Sequence, residues 1–158
     1  MHNKNIIRFI ISILLPVVTG GIAGYATSSN ISNWYVYLNK PWFNPPNAVF
    51  GRVWSVLYLL MGVSLFLIWK AVPSKTRSLA LSIFAVQLVL NFCWSFIFFY
   101  FHQTGWAFVE IVLLWISIIY MILMFHKVNR VSAYLQIPYL LWVSFAACLN
   151  VSIWYLNK

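Results

Sequence analysis

The sequence predicts an all-α integral membrane protein, a bundle of five transmembrane helices with a structured connection between the first two. Three observations predict it. Hydrophobic residues make up 63% of the 158 and charged residues 7%, against roughly 25% charged in soluble domains, so a water-soluble fold of this size would lack the charge to cover its surface. Five apolar runs are each long enough to cross roughly 30 Å of hydrocarbon at about 1.5 Å per helical residue. The basic residues stand singly at the ends of those runs, as membrane-orienting charges do. The length fits one domain spanning residues 1–158.

The first run covers about residues 6–27. Lys4, Arg8 and the Gly24-Tyr25-Ala26 triplet resemble a secretory leader, but the apolar stretch is longer than a leader core. Gly20 and Gly24 also stand at the GxxxG spacing that lets helices approach closely. A retained helix is the expectation, and these glycines are the simplest candidates for a dimer face. The remaining runs lie at about residues 47–71, 78–101, 105–125 and 131–156. None alternates as a barrel strand would.

Orientation follows from the cations. Lys4, Arg8, Lys70, Lys75, Arg77, Lys127 and Arg130 fall on the N-terminal side, and Lys40, Arg52 and Lys158 on the other. Seven against three predicts a cytoplasmic N-terminus. The net charge of +9 therefore points to a bilayer and not to nucleic acid, for which no basic stripe exists.

The connection from Ser28 to Pro46 carries Trp34, Tyr35, Tyr37, Pro41, Trp42, Pro45 and Pro46. Its prolines stiffen it, and its apolar character predicts packing over the outer end of the bundle. Ordered connections of this length are usually functional.

Nine tryptophans are present. Trp34, Trp42, Trp69, Trp106 and Trp154 lie near helix ends, where an interfacial belt accounts for them. Trp94, Trp115 and Trp142 lie deep, with Trp54 about two turns into the second helix. Buried indoles need a hydrogen-bond acceptor, which turns them toward the protein interior. Helical spacing groups them with polar neighbours: Phe50, Trp54, Tyr58 and Met61; Gln87, Asn91, Trp94 and Phe98; Trp106, Glu110, Leu114 and Ser117; Trp142, Ala146 and Asn150. Asn91 and Asn150 serve either as interhelical glue or as pocket lining. Glu110, the only acid, is either an interfacial hydrogen-bonded carboxylate or a ligand or proton group.

Conventional catalysis is not expected. His2, His102 and His126 sit at helix ends, so no deep imidazole is available to haem. One acid cannot form a carboxylate pair, and no nucleophile, base and orienting acid share a depth. Cys93 and Cys148 read as buried hydrophobes, and no metal-ligand cluster appears.

Taken together, Trp34-Tyr35, Lys40-Pro41, Asn44-Pro45-Pro46, Val49-Phe50-Gly51, Val53-Trp54, Leu57-Tyr58 and Met61-Gly62 resemble the signature of the translocator protein family, which includes the tryptophan-rich sensory proteins and the peripheral benzodiazepine receptors. The likeness continues through Gln87, Leu90-Asn91, Trp94, Phe98-Phe99, Gly105-Trp106-Ala107, Glu110, Pro138-Tyr139, Trp142, Phe145-Ala146 and Leu149-Asn150. One departure is Trp42, one place earlier than the family's usual tryptophan. The resemblance implies a five-helix bundle, commonly a homodimer in a bacterial plasma membrane, with no obligatory cofactor and protoporphyrin IX as ligand. It implies a pocket of Tyr35, Phe50, Trp54, Tyr58, Asn91, Trp94, Trp106, Trp142 and Ala146, with Pro45 and Pro46 in the lid; Glu110 is a further candidate ligand-binding residue. Some members bind sterols, but the sterol pattern is met only loosely by Leu149, Tyr155 and Lys158.

Three functions follow as expectations: tetrapyrrole binding with a sensing or stress role, light- and oxygen-dependent porphyrin breakdown with Trp54 and Trp142 as electron partners, and transport of porphyrin or sterol. Transport ranks last, since no internal repeat or transmembrane polar path is visible.

Overall fold

A computed structural model describes residues 2–158. It comprises α1 (His2–Asn33), a short 3₁₀ turn (Tyr35–Tyr37), α2 (Asn47–Lys70), α3 (Lys75–Ser95) running on as a π-helical turn (Phe96–Tyr100), α4 (Thr104–Val128), α5 (Arg130–Tyr134) and α6 (Ile137–Leu156). Five helical spans are long and apolar enough to cross a membrane, the last formed by α5 and α6 together. The helices close a ring in which α1 packs on α2 and on α3 with its π-helical turn, α3 on α4, α4 on α5 and α6, and α5 on α2.

The expected and observed helix limits differ most in α1, which continues to Asn33 and not to about residue 27. The extension is polar, yet its hydroxyls bond back into the helix: Thr27 Oγ1 donates to the Ala23 carbonyl at 2.7 Å and Ser28 Oγ to that of Tyr25 at 2.8 Å. Ile31 packs on the outer core. Asn30 Oδ1 lies 3.2 Å from His102 Nε2, whose residue takes the left-handed conformation (φ 56°) that ends the α3 segment. Tertiary contact thus carries the helix beyond its apolar run.

The last span is not one helix over residues 131–156, because it breaks at Leu135–Gln136. Pro138 stands in the first turn of α6 and has no N–H to offer the preceding turn. The starts of α3 and α5 carry explicit side-chain caps. Ser74 Oγ accepts from Arg77 N at 3.1 Å, and Arg77 Nη2 donates to the Trp69 carbonyl at 2.6 Å, tying the start of α3 to the end of α2. Asn129 Oδ1 accepts from Ser132 N at 3.0 Å to begin α5.

The main core sits in the half of the bundle near the α2–α3 turn, around Met61, Ile68, Phe84, Ile118, Met121, Phe125 and Tyr139, all buried. A second core of Tyr35, Phe98, Ala107, Leu149 and Ile153 lies under the connection. Large apolar residues such as Ile6, Ile10, Leu14, Val18 and Ile22 are exposed along α1, as a hydrocarbon-facing surface requires.

The α1–α2 crossing is close. A Cβ on Gly62 would lie 2.7 Å from Ile13 Cα and 2.9 Å from the Ser12 carbonyl oxygen, both backbone atoms that cannot yield. That carbonyl also lacks its usual intrahelical donor, because residue 16 is proline. Gly62→Ala should therefore destabilise the protein by about 1–3 kcal/mol despite its better helix propensity. A thermal midpoint in detergent unchanged from wild type would refute this crossing.

Candidate ligand cavity

A cavity of about 510 Å3 lies between α1, α2 and α3. Its α2 wall is aromatic, with Phe50, Trp54 and Tyr58 at successive fours, and α3 adds Trp94 and Phe99. Its α1 wall is thin, made of Gly20, Gly21, Ala23, Gly24 and Thr27. The two walls fit each other closely at one place, since a Cβ on Gly20 would overlap the Tyr58 ring. Gly20 therefore serves packing within the protomer, whereas Gly21 and Gly24 have open space in front of them.

Two of the rings, Tyr58 and Trp94, are held by hydrogen bonds. Trp54 and Tyr58 stack with centroids 5.4 Å apart and planes at 26°. Tyr58 Oη donates to Asn91 Oδ1 at 2.8 Å. The Asn91 amide donates to Tyr139 Oη at 3.1 Å, and Tyr139 donates to Gln87 Oε1 at 3.0 Å. Both ends of the Asn91 side chain are thus committed inside the bundle, and Asn91 acts on the cavity through Tyr58. Trp94 Nε1 donates to Asn150 Oδ1 at 3.1 Å, and Asn150 in turn donates to the Thr104 carbonyl at 2.8 Å. The indole N–H is satisfied and the ring remains available as wall.

The other expected site residues are distributed around this cavity. Tyr35 and Ala146 line a void of only about 20 Å3 that shares Phe50, Trp94 and Phe99 with the large cavity. Those shared rings divide the two spaces. Trp142 packs edge-on against Phe50 at 5.7 Å and lines a groove on the opposite side of α2; its indole nitrogen is buried without a partner. Trp106 is 70% exposed and borders, with Glu110, a separate groove between the outer end of α3 and α4. Glu110 is 8% exposed, and neither carboxyl oxygen has a hydrogen-bond partner.

The connection closes the end of the bundle away from the α2–α3 turn. Tyr35 is buried against Phe98 and Phe99, and its Oη donates to Asn44 Oδ1 at 2.7 Å. The Asn44 amide reaches the Pro45 carbonyl at 3.2 Å, and Pro46 precedes the first residue of α2. Asn39 and Asn157 bond reciprocally, Asn39 N to Asn157 Oδ1 and Asn157 Nδ2 to the Asn39 carbonyl, both at 2.9 Å. Trp42 points outward at 94% exposure, and Phe43 packs instead on Phe145 with centroids 6.2 Å apart. That inward ring is how the connection accommodates a tryptophan one place early.

Burial pushes the Tyr35 phenol up to about 12, with the Asn44 hydrogen bond opposing. The folded state therefore favours the protonated phenol. This contribution to stability is whole below the ordinary value of 10.0 and falls as pH rises toward 12. Wild type should lose thermal stability over that interval more steeply than Tyr35→Phe. Parallel alkaline profiles for the two proteins would remove Tyr35 as the source.

Sequence reasoning missed Gly21, Gly24, Thr27 and Phe99 as cavity wall. The signal was present in α1, where small residues recur at 20, 21, 24 and 27. A thin helix face leaves room for a ligand as readily as for another helix.

Five apolar spans, three of them around a ring-lined cavity, define a polytopic helical membrane protein with a cavity of small-ligand size. Comparison with known proteins places it further. The TspO/MBR family profile matches residues 12–156. The chain is 35% identical over 153 residues to the tryptophan-rich protein TspO of Archaeoglobus fulgidus, covering 97% of this chain and 99% of that one. It is 37% identical over 159 residues to the tryptophan-rich protein TspO of Chlorobaculum tepidum, covering 98% and 99%. Against the human translocator protein it is 37% identical over 123 residues, covering 77% and 73%. The chain belongs to the TspO/MBR family.

Proposed function

We propose that the protein binds flat aromatic ligands of the tetrapyrrole class, protoporphyrin IX among them, in the cavity between α1, α2 and α3, in a sensing or porphyrin-handling role. The observation that carries this reading is the stacked Trp54–Tyr58 pair facing about 510 Å3 of space. That volume falls in the range of small-molecule sites, about 300–1,000 Å3. Indole and phenol faces stack on a porphyrin plane, and the thin α1 wall leaves depth for it. Tyr35, Phe50 and Trp94 extend the same aromatic lining inward to Ala146, and a ligand that displaces the shared rings Phe50, Trp94 and Phe99 joins the two spaces.

The remaining parts of the reading rest on charge and family. The seven-to-three distribution of cations supports a cytoplasmic N-terminus in a bacterial-type plasma membrane. A homodimer is the expected assembly, formed through surfaces other than Gly20, which Tyr58 occupies. The placement of Trp54 in the cavity wall also favours a second reading, in which the bound porphyrin absorbs light, oxygen is the oxidant and Trp54 is an electron partner in the wall, with Trp142 behind Phe50. Equal bleaching of free and bound porphyrin, with the same products, would eliminate that second reading.

The test of binding is a protoporphyrin IX titration of the purified protein in detergent in the dark, following absorbance and tryptophan quenching. Saturable quenching that weakens in Trp54→Leu is the expected result. Unsaturable partitioning, identical in both proteins, would overturn the proposal.

A further inference from the structure

The α2 and α6 backbones stand apart, bridged by rings: Phe50 on Trp142 at 5.7 Å and Trp54 on Tyr139 at 6.1 Å. Outside those rings the gap is a lateral groove of about 550 Å3, floored by Leu57 and Trp142 and sided by Val56, Leu60, Pro138 and Leu141. Its lining is apolar except at one end, where Arg52 stands. From Arg52 to Leu60 the groove follows α2 for about 12 Å, parallel to an acyl chain in a bilayer.

Arg52 lies about a turn and a half below the start of α2, at the edge of the hydrocarbon, where an uncompensated guanidinium is costly. The chain offers it no side-chain counter-charge. Its one acid, Glu110, is on α4 with both oxygens unpartnered. The groove therefore presents a planar, bidentate cation at its polar end and an aliphatic channel below, which matches a phosphate joined to a hydrocarbon chain.

We propose that the groove between α2 and α6 seats one acyl chain of an anionic phospholipid, with its phosphate held by Arg52. Trp142 forms the wall between this lipid and the interior rings, so the lipid backs the side of α2 opposite the ligand cavity. The site is separate from that cavity and does not depend on its ligand.

The test is native mass spectrometry of the purified protein in mixed micelles of phosphatidylglycerol and phosphatidylcholine. Wild type should retain one phosphatidylglycerol, preferred about fivefold over phosphatidylcholine, as expected for one interfacial cation. Arg52→Gln should bring the two lipids to parity. Leu60→Trp, which fills the channel and leaves the charge, should lose retention of both. Lys158→Gln, an outer cation away from the groove, should behave as wild type, and inorganic phosphate should not displace the lipid. A preference that survives Arg52→Gln, retention that survives Leu60→Trp, or displacement by phosphate alone would each overturn the proposal.

Discussion

Gly24→Phe is expected to weaken porphyrin binding at least tenfold while leaving the protein as stable as wild type or more so. Gly24 borders the cavity, and a Cβ there meets nothing within 4 Å. A benzyl group fits without displacing backbone and occupies volume a ligand would need. The loss of a glycine from a helix interior adds about 0.5 kcal/mol of helix propensity, so lost binding cannot be ascribed to unfolding. Gly20→Ala provides the contrast. Its single methyl strikes the Tyr58 ring and should lower the thermal midpoint as well as binding. If Gly24→Phe binds porphyrin as wild type does, the ligand occupies some other space and the cavity between α1, α2 and α3 is not the porphyrin site.

The second large effect is expected at Asn91. Its side chain accepts from Tyr58 and donates to Tyr139, so Asn91→Leu removes two hydrogen bonds at once. Interhelical hydrogen bonds in membranes average only about 0.6 kcal/mol, but stranding a buried hydroxyl costs about 1–3 kcal/mol. Tyr139 keeps its bond to Gln87; Tyr58 keeps none. The expected outcome is a loss of about 2–3 kcal/mol in stability, with Tyr58 released from its stack on Trp54 and a shifted Trp54 emission. Asn91→Leu paired with Tyr58→Phe should recover part of the loss, because the stranded hydroxyl is then gone. A double variant no more stable than Asn91→Leu alone would break this account of the pair.

The helical architecture was legible because it rests on quantities a sequence carries directly: run length, apolar content and the placement of single charges. The face shared by Phe50, Trp54 and Tyr58 was legible for the same reason, since three residues at steps of four cannot lie on different sides of a helix. What was not legible depends on neighbours. Ser28 to Asn33 read as loop because nothing local favours helix there; the contacts with His102 and the outer core supply what propensity does not. The break before α6 was readable in Pro138, outweighed by the continuity of the apolar run. Trp106 and Glu110 do share a face, as their spacing requires, but that face looks onto a groove at the outer end of α3 and not onto the main cavity. Periodicity fixes which residues lie together on one helix, while the rotation of that helix against its neighbours is set by packing.

The mouth of the cavity has a bearing on how affinity must be measured. Val17, Gly21 and Gly24 on α1 and Ser55 and Leu59 on α2 are exposed where they border it, on a surface that faces hydrocarbon. A ligand arriving there is already dissolved in the bilayer, so its driving concentration is a mole fraction of lipid and not a molarity in water. Doubling the detergent or lipid at fixed protein and porphyrin dilutes the ligand in its own solvent and should roughly double the apparent dissociation constant. Binding strengths for this protein are then comparable between preparations only when expressed as a mole fraction of porphyrin in the detergent or lipid. A cell that alters the lipid content of its membrane would tune occupancy of the site without any change in the protein.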